Sequence, residues 1–264
     1  MKYKTNIRSS RGFSVIEALI ILIVIGGLIA AGLFVGKKKD QGTSGNGQQN
    51  QRQSGKKDDG PLVIHNFGLK SLDSVDVTTK ATRDFTASGH KGFYIFGDIL
   101  PGTPVRHNPN FEFASMKEGT QIISAIDGVV GFVKQQSESS DFEVFLMPSE
   151  NSDWIIGYDH LTDLKVKKGD TVKVGDVLGV PARQNNGLLR FEFQINKNKN
   201  GQDGMHICPS TLLASDVREK TLNDLQNMQD SWETVSGLEL YNPAAQKPIG
   251  CTQTEMTPAF ANGQ

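Results

Sequence analysis

The stretch LLRFEFQI at residues 188–195 decides the fold class. Its apolar side chains alternate with polar ones, which is the pattern of a strand with one buried face. Similar short runs, separated by Gly-Asp and Asn-Gly turn pairs, lie at residues 128–136, 142–147 and 154–158. No long helical pattern precedes residue 215. The sequence therefore predicts a mainly β domain that is built from hairpins.

The charged residues are distributed unevenly along the 264-residue chain. Residues 1–60 hold ten of the 28 Lys and Arg but only four of the 29 Asp and Glu, so residues 61–264 hold eighteen basic and twenty-five acidic side chains. Binding to nucleic-acid phosphates needs a basic face. We therefore expect no nucleic-acid partner.

Residues 13–36 form the longest apolar segment of the sequence. The run from Ala18 to Gly36 is uncharged and, with the residues just before it, is long enough to cross a bilayer as a helix. It is too long for a secretory signal and has no small-residue cleavage site after it. Four basic residues precede it, which favours a cytoplasmic N-terminus, although Lys37–Lys39 follow it. We expect a single-pass inner-membrane protein with its domain on the periplasmic side.

One acidic residue lies inside this apolar segment. Its presence there requires an explanation, because an unpaired carboxylate is energetically costly in a membrane. The context of Glu17 is RGFSVIE at residues 11–17, which resembles the signal of type IV prepilins and pseudopilins. The resemblance implies that residues 1–12 are a leader and that a prepilin peptidase cuts after Gly12 and methylates Phe13. It also implies assembly with subunits of a pilus or secretion machine. The plainer alternative is that Glu17 reaches water at the interface.

The chain departs from the pilin pattern after the apolar segment. Residues 37–60 contain no apolar side chain and are rich in Gly, Gln, Lys and Asp. Such a composition cannot bury a face, so we expect a flexible linker.

Three further motifs carry a second resemblance. They are EGT followed by AIDGVV within residues 118–130, YDHL at residues 158–161 and VKKGDTVKVGDVLG at residues 166–179. Together they are similar to LytM/lysostaphin-type peptidoglycan metalloendopeptidases over about residues 92–213. The resemblance implies a LytM-like open β-sheet and hairpin domain, to which we assign residues 61–214. A biotinyl or lipoyl carrier domain shares only the last hairpin.

Active members of that family bind zinc through a His and an Asp in HxGxD and through the second His of a late HxH. A catalytic zinc needs three protein ligands and an open position for water. The late pair falls on Leu188 and Arg190, and neither side chain can bind the metal. The His of the YDHL motif is His160, which fits its family position.

The early pair is also altered, and two alignments are open. In one, His107 is the ligand His and Phe111 occupies the Asp position. In the other, Asn108 replaces the His and Glu112 replaces the Asp. At most two of the three ligands survive, so we expect no zinc and no other cofactor.

The resemblance then implies a degenerate, non-catalytic domain that binds peptidoglycan or a wall amidase. Arg190 and Glu192 lie on the same face of one strand, and an ion pair between them is a candidate replacement for the metal cross-link. Two alternatives remain: an active zinc endopeptidase with an atypical site, and a structural pilin-like subunit in which the domain is only a spacer.

The two cysteines lie late in the chain and match no zinc or redox spacing. If the domain is periplasmic, a bridge between Cys208 and Cys251 is favoured over two buried thiols. Residues 215–264 should begin with an amphipathic helix from Asp216 to about Val235, with a capping box formed by Asp216 and Glu219. The tail at residues 236–264 should be mostly irregular.

Overall fold

The computed structural model describes residues 60–137, 139–199 and 202–263. The predicted leader at residues 1–12, with Gly12, the predicted membrane helix at 13–36, with Phe13 and Glu17, and the linker up to residue 59 lie outside the described residues. Within the described part of the chain, no helix is both long enough and apolar enough to cross a membrane.

The described residues form thirteen strands and three α-helices. The strands of the first half are β1 (Phe93–Tyr94), β2 (Ile99–Leu100), β3 (Arg106–His107), β4 (Phe111–Met116), β5 (Ile122–Ile123), β6 (Gly128–Gln135) and β7 (Phe142–Met147). Those of the second half are β8 (Trp154–Thr162), β9 (Thr171–Val172), β10 (Val177–Arg183), β11 (Leu189–Lys199), β12 (Gln202–Ile207) and β13 (Glu255–Met256). The helices are α1 (Lys80–Ala87), α2 (Ser215–Ser236) and α3 (Pro258–Ala261).

Eleven of these strands join in one sheet in which the described pairings are antiparallel, and β2 pairs with β3 in a separate hairpin. In its centre, β4, β11, β8, β7 and β6 lie side by side. The predicted mainly β domain is therefore confirmed. The strand predicted at residues 154–158 continues to Thr162, because its pairing with β11 and β7 holds it beyond the point where the apolar alternation ends.

One side of this sheet is a core rich in aromatic residues. Phe191, Phe193 and Ile195 of β11 are fully buried, while the polar residues between them are only half-buried on the opposite side. The ring of Phe193 meets that of Tyr158 edge to face at 5.3 Å, a geometry that aromatic pairs prefer. Strand β11 therefore has one apolar face inside, and its other face forms part of the outer side of the sheet.

Helix α2 covers this core with Leu225, Met228 and Trp232. The predicted helix is confirmed, but the predicted capping box is wrong. The N-cap residue is Ala214, which has no side-chain acceptor. Asp216 lies inside the first turn, where its negative charge interacts favourably with the positive end of the helix dipole.

The C-terminal tail is held against the domain by the predicted disulfide. Cys208 and Cys251 are both fully buried and bonded, with their Cα atoms 6.0 Å apart. Phe96 N–H donates to Gly250 O at 3.0 Å, and Thr252 N–H donates to Phe96 O at 3.0 Å. The tail is mostly irregular, as predicted, but it belongs to the folded domain.

Candidate functional site

The outer side of the sheet brings together charged residues from three neighbouring strands. Strand register places Glu192 of β11 opposite Glu112 of β4 on one side and opposite Asp159 of β8 on the other. Arg190 lies two residues before Glu192 and therefore shares its face, since side chains alternate along a strand. We call Glu112, Arg190, Glu192 and His160 the ion cluster.

Arg190 is the centre of the ion cluster. Its Nη2 lies 3.1 Å from Glu112 Oε1 and also forms an ion pair with Glu192 Oε1. Asn110 Nδ2 donates a hydrogen bond to the other oxygen of Glu192. The ion pair expected from sequence is thus present, and a second carboxylate, that of Glu112, shares the same cation.

These contacts set the protonation of the two glutamates in opposite directions. Burial acts to raise the pKa of Glu192, but Arg190, His160 and Asn110 hold it at about 2. Burial raises the pKa of Glu112 to about 7, because Arg190 offsets the loss of solvent only in part and Glu192 opposes ionisation. Glu192 is therefore the permanent anion of the pair, and Glu112 titrates near neutrality.

His160 joins the ion cluster from β8. Its Nδ1 lies 2.8 Å from Asp141 Oδ2, and its Nε2 lies 3.4 Å from Glu192 Oε1. Burial acts to lower the pKa of His160, but the two carboxylates raise it to about 10. The imidazole is therefore a cation at neutral pH and donates from both nitrogens. A neutral imidazole, which a metal ligand or general base requires, is disfavoured here.

The backbone of His160 is held in the left-handed region, with φ of 59°. Such a conformation is uncommon for a residue other than glycine. Its N–H donates to Asp159 Oδ1 at 2.6 Å, and the β7–β8 register shifts beside it. The irregular register turns the imidazole toward Asp141 and Glu192.

Two more carboxyl groups extend the charged surface beyond the ion cluster. Burial and the neighbouring Asp159 raise the pKa of Glu143 to about 8, although Lys134 opposes the shift. Burial raises the pKa of Asp159 to about 6, although His160 opposes the shift. Gln136 donates a hydrogen bond to Asp159. This part of the sheet therefore holds carboxyl groups that are protonated in part at pH 7.

The structure brings together three of the five positions expected from the family motifs. Glu112, His160 and Arg190 converge, and the contact of Glu112 with Arg190 agrees with the alignment that puts Glu112 at the Asp position. Leu188 is buried, with its N–H donating to Asn186 Oδ1 at 3.0 Å. It leaves that position of the motif without a group that can transfer a proton.

His107 lies apart from the ion cluster on the β2–β3 hairpin. Its ring stacks on Phe260 with centroids 4.4 Å apart, and its Nδ1 is 3.3 Å from Gly97 O. Asn108, the alternative candidate, is buried and donates to the carbonyls of Tyr94 and Ile95. Both residues therefore stabilise the local backbone.

The residues present do not fit a catalytic zinc. The ligand position that closes the coordination sphere holds the guanidinium of Arg190, whose pKa the neighbouring carboxylates raise further, against the opposing effect of burial. A permanent cation there repels a divalent ion, and it already occupies the two carboxylates nearest to it. In the described residues, no group of three His, Cys, Asp or Glu is arranged to hold a metal.

Sequence reasoning missed several members of this site. Asp141, Asn110 and Glu143 lie in no motif, and only the strand register and the loop between β6 and β7 bring them to His160 and Glu192. Asp159 lies in the YDHL motif, but its position opposite Glu192 is set by the strand register. The one available signal was the polar face of β11, which implied polar neighbours on β4 and β8.

The fold around this charged site is a mainly β domain. Residues 112–203 match the family described as Peptidase family M23, which confirms the resemblance seen in the motifs. No curated protein sequence matches the chain.

Three solved structures illustrate the likeness. The catalytic domain of the antimicrobial peptidase lysostaphin from Staphylococcus simulans is 21% identical, over 42% of this chain and 84% of that one, with a TM-score of 0.35. Helicobacter pylori Csd3 is 20% identical over 70% of this chain and 46% of its own, with a TM-score of 0.39. A chain of the SpoIIQ–SpoIIIAH pore forming complex is 15% identical over 60% of this chain and 98% of its own, with a TM-score of 0.38.

Proposed function

We propose that this protein is a non-catalytic, single-pass envelope protein whose LytM-type domain binds peptidoglycan, a wall hydrolase or a subunit of a pilus or secretion machine. One observation carries the proposal: the Arg190 guanidinium lies between Glu112 and Glu192, where a peptidase of this type needs a metal ligand. Hydrolysis in this family requires zinc to generate hydroxide from bound water at neutral pH.

The remaining groups also support a binding role. A general base must be able to accept a proton near the working pH. His160 is held as a cation by Asp141 and Glu192, with its pKa raised to about 10, and Leu188 replaces the neighbouring histidine of the motif. The site thus lacks a proton acceptor of suitable pKa at these two positions.

The placement in the envelope is proposed from two features. The apolar segment at residues 13–36, preceded by basic residues, supports an inner-membrane anchor with a cytoplasmic N-terminus. The buried Cys208–Cys251 bridge supports a periplasmic domain, because disulfides persist in oxidising compartments.

Two measurements on purified full-length protein test the proposal. Elemental analysis should find no stoichiometric zinc, and dye-labelled peptidoglycan should release no dye. The double variant Leu188→His with Arg190→His restores the late histidine pair and should stay inactive, since Asn108 and Glu112 still replace the early pair. About one zinc per chain together with chelator-sensitive lysis would instead establish the endopeptidase alternative.

A pull-down distinguishes a domain that binds a partner from a domain that is only a structural spacer. Full-length protein purified from its native membrane should retain a partner whose capture requires the domain. If a chain lacking residues 61–264 captures the same proteins equally well, the domain is only a spacer.

A further inference from the structure

The outer side of β6, β7 and β8 carries an apolar surface that the core does not use. It consists of Phe132, Phe145, Met147 and Ile155, all partly exposed, and we call it the outer patch. Register places Phe132 opposite Phe145, with ring centroids 6.0 Å apart. Their strand neighbours Leu146 and Ile156 are fully buried on the other side of the sheet.

A glycine shapes the middle of the outer patch. Gly157 lies opposite Phe145, and a Cβ placed on it would touch the Phe145 ring at 3.5 Å. The aromatic ring therefore lies across the glycine backbone. The result is a partly exposed apolar surface on the outer side of the sheet.

Carboxyl groups border the outer patch on one side. Glu143 lies two residues before Phe145 on the same face, and Asp159 lies two residues after Gly157. The nearest cation to Glu143 is Lys134, whose Nζ is 3.9 Å away, which is beyond hydrogen-bond distance. Asp159 accepts from Gln136 and from the His160 N–H, so its side-chain partner is neutral.

The charges on this side of the sheet do not balance. Arg190 is already shared by Glu112 and Glu192, and His160 by Asp141 and Glu192. Lys134 is then the cation left for Glu143, and Asp159 has no ion pair of its own among the described residues. Their raised pKa values agree with this shortage of positive charge. An additional cation beside the outer patch would remove it.

We propose that the outer patch is a docking surface for a polypeptide segment of a partner protein that places a Lys or Arg side chain beside an apolar side chain. The cation would lie against Glu143 and Asp159, and the apolar group against Phe132 and Phe145. This inference rests on the proposed binding role and specifies the chemistry of the partner.

The same charges disfavour peptidoglycan as the occupant. Its stem peptides carry carboxylates, and the domain at residues 61–264 has seven more acidic than basic side chains. The glycan also needs polar partners for its hydroxyl groups, whereas the outer patch offers aromatic and aliphatic side chains.

Fluorescence anisotropy with two labelled peptides tests the docking surface on full-length protein. One short peptide alternates leucine and lysine, and the other replaces each lysine with glutamate. The lysine peptide should bind, and the glutamate peptide should not. The double variant Glu143→Gln with Asp159→Asn should weaken binding roughly tenfold or more, since charge-assisted contacts are lost. Phe145→Ala should weaken it by a similar factor.

A matched control is Asp224→Asn on α2, an exposed carboxylate paired with Lys220 on the helix that packs on the buried side of the sheet. Its affinity should equal that of the unmodified protein. Thermal unfolding of every variant separates loss of binding from loss of fold. Glu143→Gln with Asp159→Asn removes charge with little change of shape, so the test does not depend on Phe145→Ala folding.

A pH series adds a readout specific to Glu143. Its charged neighbours are Lys134 on β6, Asp159 and His160 on β8, and Glu192 on β11. A bound cation favours the ionised carboxyl, so affinity should rise between pH 6 and pH 8.5 and should rise less in Glu143→Gln.

Three results would overturn the docking surface: equal binding of the two peptides, unchanged affinity in both sets of variants, or capture of purified peptidoglycan that Phe145→Ala abolishes. None of these alters the zinc and lysis results, so the docking surface can fail while the non-catalytic role stands.

Discussion

At the scale of single residues, the guanidinium of Arg190 connects Glu112 on β4 with Glu192 on its own strand. A buried ion pair stabilises a fold only weakly relative to apolar packing, but removal of one partner leaves an uncompensated charge. The ion cluster therefore makes the domain sensitive to the loss of one side chain.

The substitution Arg190→Ala tests this dependence. It leaves Glu112 and Glu192 buried without their shared cation, and we expect the free energy of unfolding at pH 7.5 to fall by about 3–5 kcal/mol. Urea unfolding followed by circular dichroism measures it. The control Arg183→Ala removes a pair with Glu118 that is largely exposed, and it should change stability by less than about 1 kcal/mol. Equal losses of unfolding free energy in the two variants would show that the ion cluster stabilises the fold no more than an exposed ion pair does.

The carboxyl groups of the site also predict how stability depends on pH. The pKa values of Asp159, Glu112 and Glu143 are raised in the fold to about 6, 7 and 8, and that of His160 to about 10. A raised pKa means that the folded state binds more protons than the unfolded state, so its contribution is lost as pH rises through the folded value. The pKa of Glu192 is lowered to about 2, so its contribution to stability is lost as pH falls, and only in acid.

We therefore predict that the free energy of unfolding declines between about pH 5 and pH 10. Glu143→Gln should remove part of this decline and make the protein more stable than the unmodified chain at pH 9, by on the order of 2 kcal/mol. Chemical unfolding at pH 5.5, 7 and 9 measures the effect. The exposed Glu150→Gln is the control and should follow the unmodified protein at every pH. A flat profile for the unmodified protein would contradict the assigned protonation of this cluster.

At the scale of secondary-structure elements, the disulfide has a defined role. It joins the start of the short 3₁₀-helix Pro209–Leu212 to the tail after α2 and closes a loop with a sequence separation of 43. In the chain-entropy model, such a loop contributes about 4 kcal/mol by restricting the unfolded chain.

Non-reducing peptide mapping of protein from its native compartment should recover Cys208 joined to Cys251. Reduction, or the double change Cys208→Ser with Cys251→Ser, should lower the free energy of unfolding by about 4 kcal/mol. The reducing agent should have no effect on the double variant, which controls for non-specific destabilisation. Free alkylatable thiols at both positions would contradict both the bridge and the periplasmic placement.

Some of the helices and strands were predicted from sequence patterns, and others were not. Strand β7 at Phe142–Met147 and the helix α2 follow from apolar periodicity, because each buries one face against the same core. Helix α1 has no long apolar repeat and was not predicted. The start of α2 was assigned to an acidic pair, whereas Arg218 donates to Leu213 O at 2.7 Å just outside the helix.

The candidate site was likewise predicted only in part from the sequence. Arg190 and Glu192 were paired from sequence, since residues two apart on a strand share a face. Glu112 was placed near Arg190 by only one of the two alignments, and Asp141 was not placed there at all. Cross-strand register and the irregular backbone at His160, which bring both residues to the site, are set by tertiary packing. Local sequence patterns predicted the β11 strand of the site. The balance of charges in the site is seen only once the strands are assembled in the sheet.

At the scale of the whole molecule, the acidic domain and the basic N-terminal region suit different surroundings. Ten of the 28 Lys and Arg lie in residues 1–60, on both sides of the apolar segment. Basic residues next to a membrane helix favour the cytoplasmic face and anionic lipids. The basic N-terminal region is thus consistent with the membrane anchor proposed above, and the acidic domain with a different surface.

The last prediction concerns the processing of the N-terminal segment. We expect cleavage after Gly12 and N-methylation of Phe13 in cells with a working prepilin peptidase. Cleavage places a new amine four residues before Glu17, where an ion pair within or between helices offsets the penalty of a carboxylate in the membrane. Intact-mass analysis of membrane-extracted protein measures both changes. Gly12→Val should retain Met1, whereas Gly36→Val, at the other end of the apolar segment, should be processed normally. Retention of Met1 in the unmodified protein would leave Glu17 without this partner and would favour an interfacial carboxylate that reaches water.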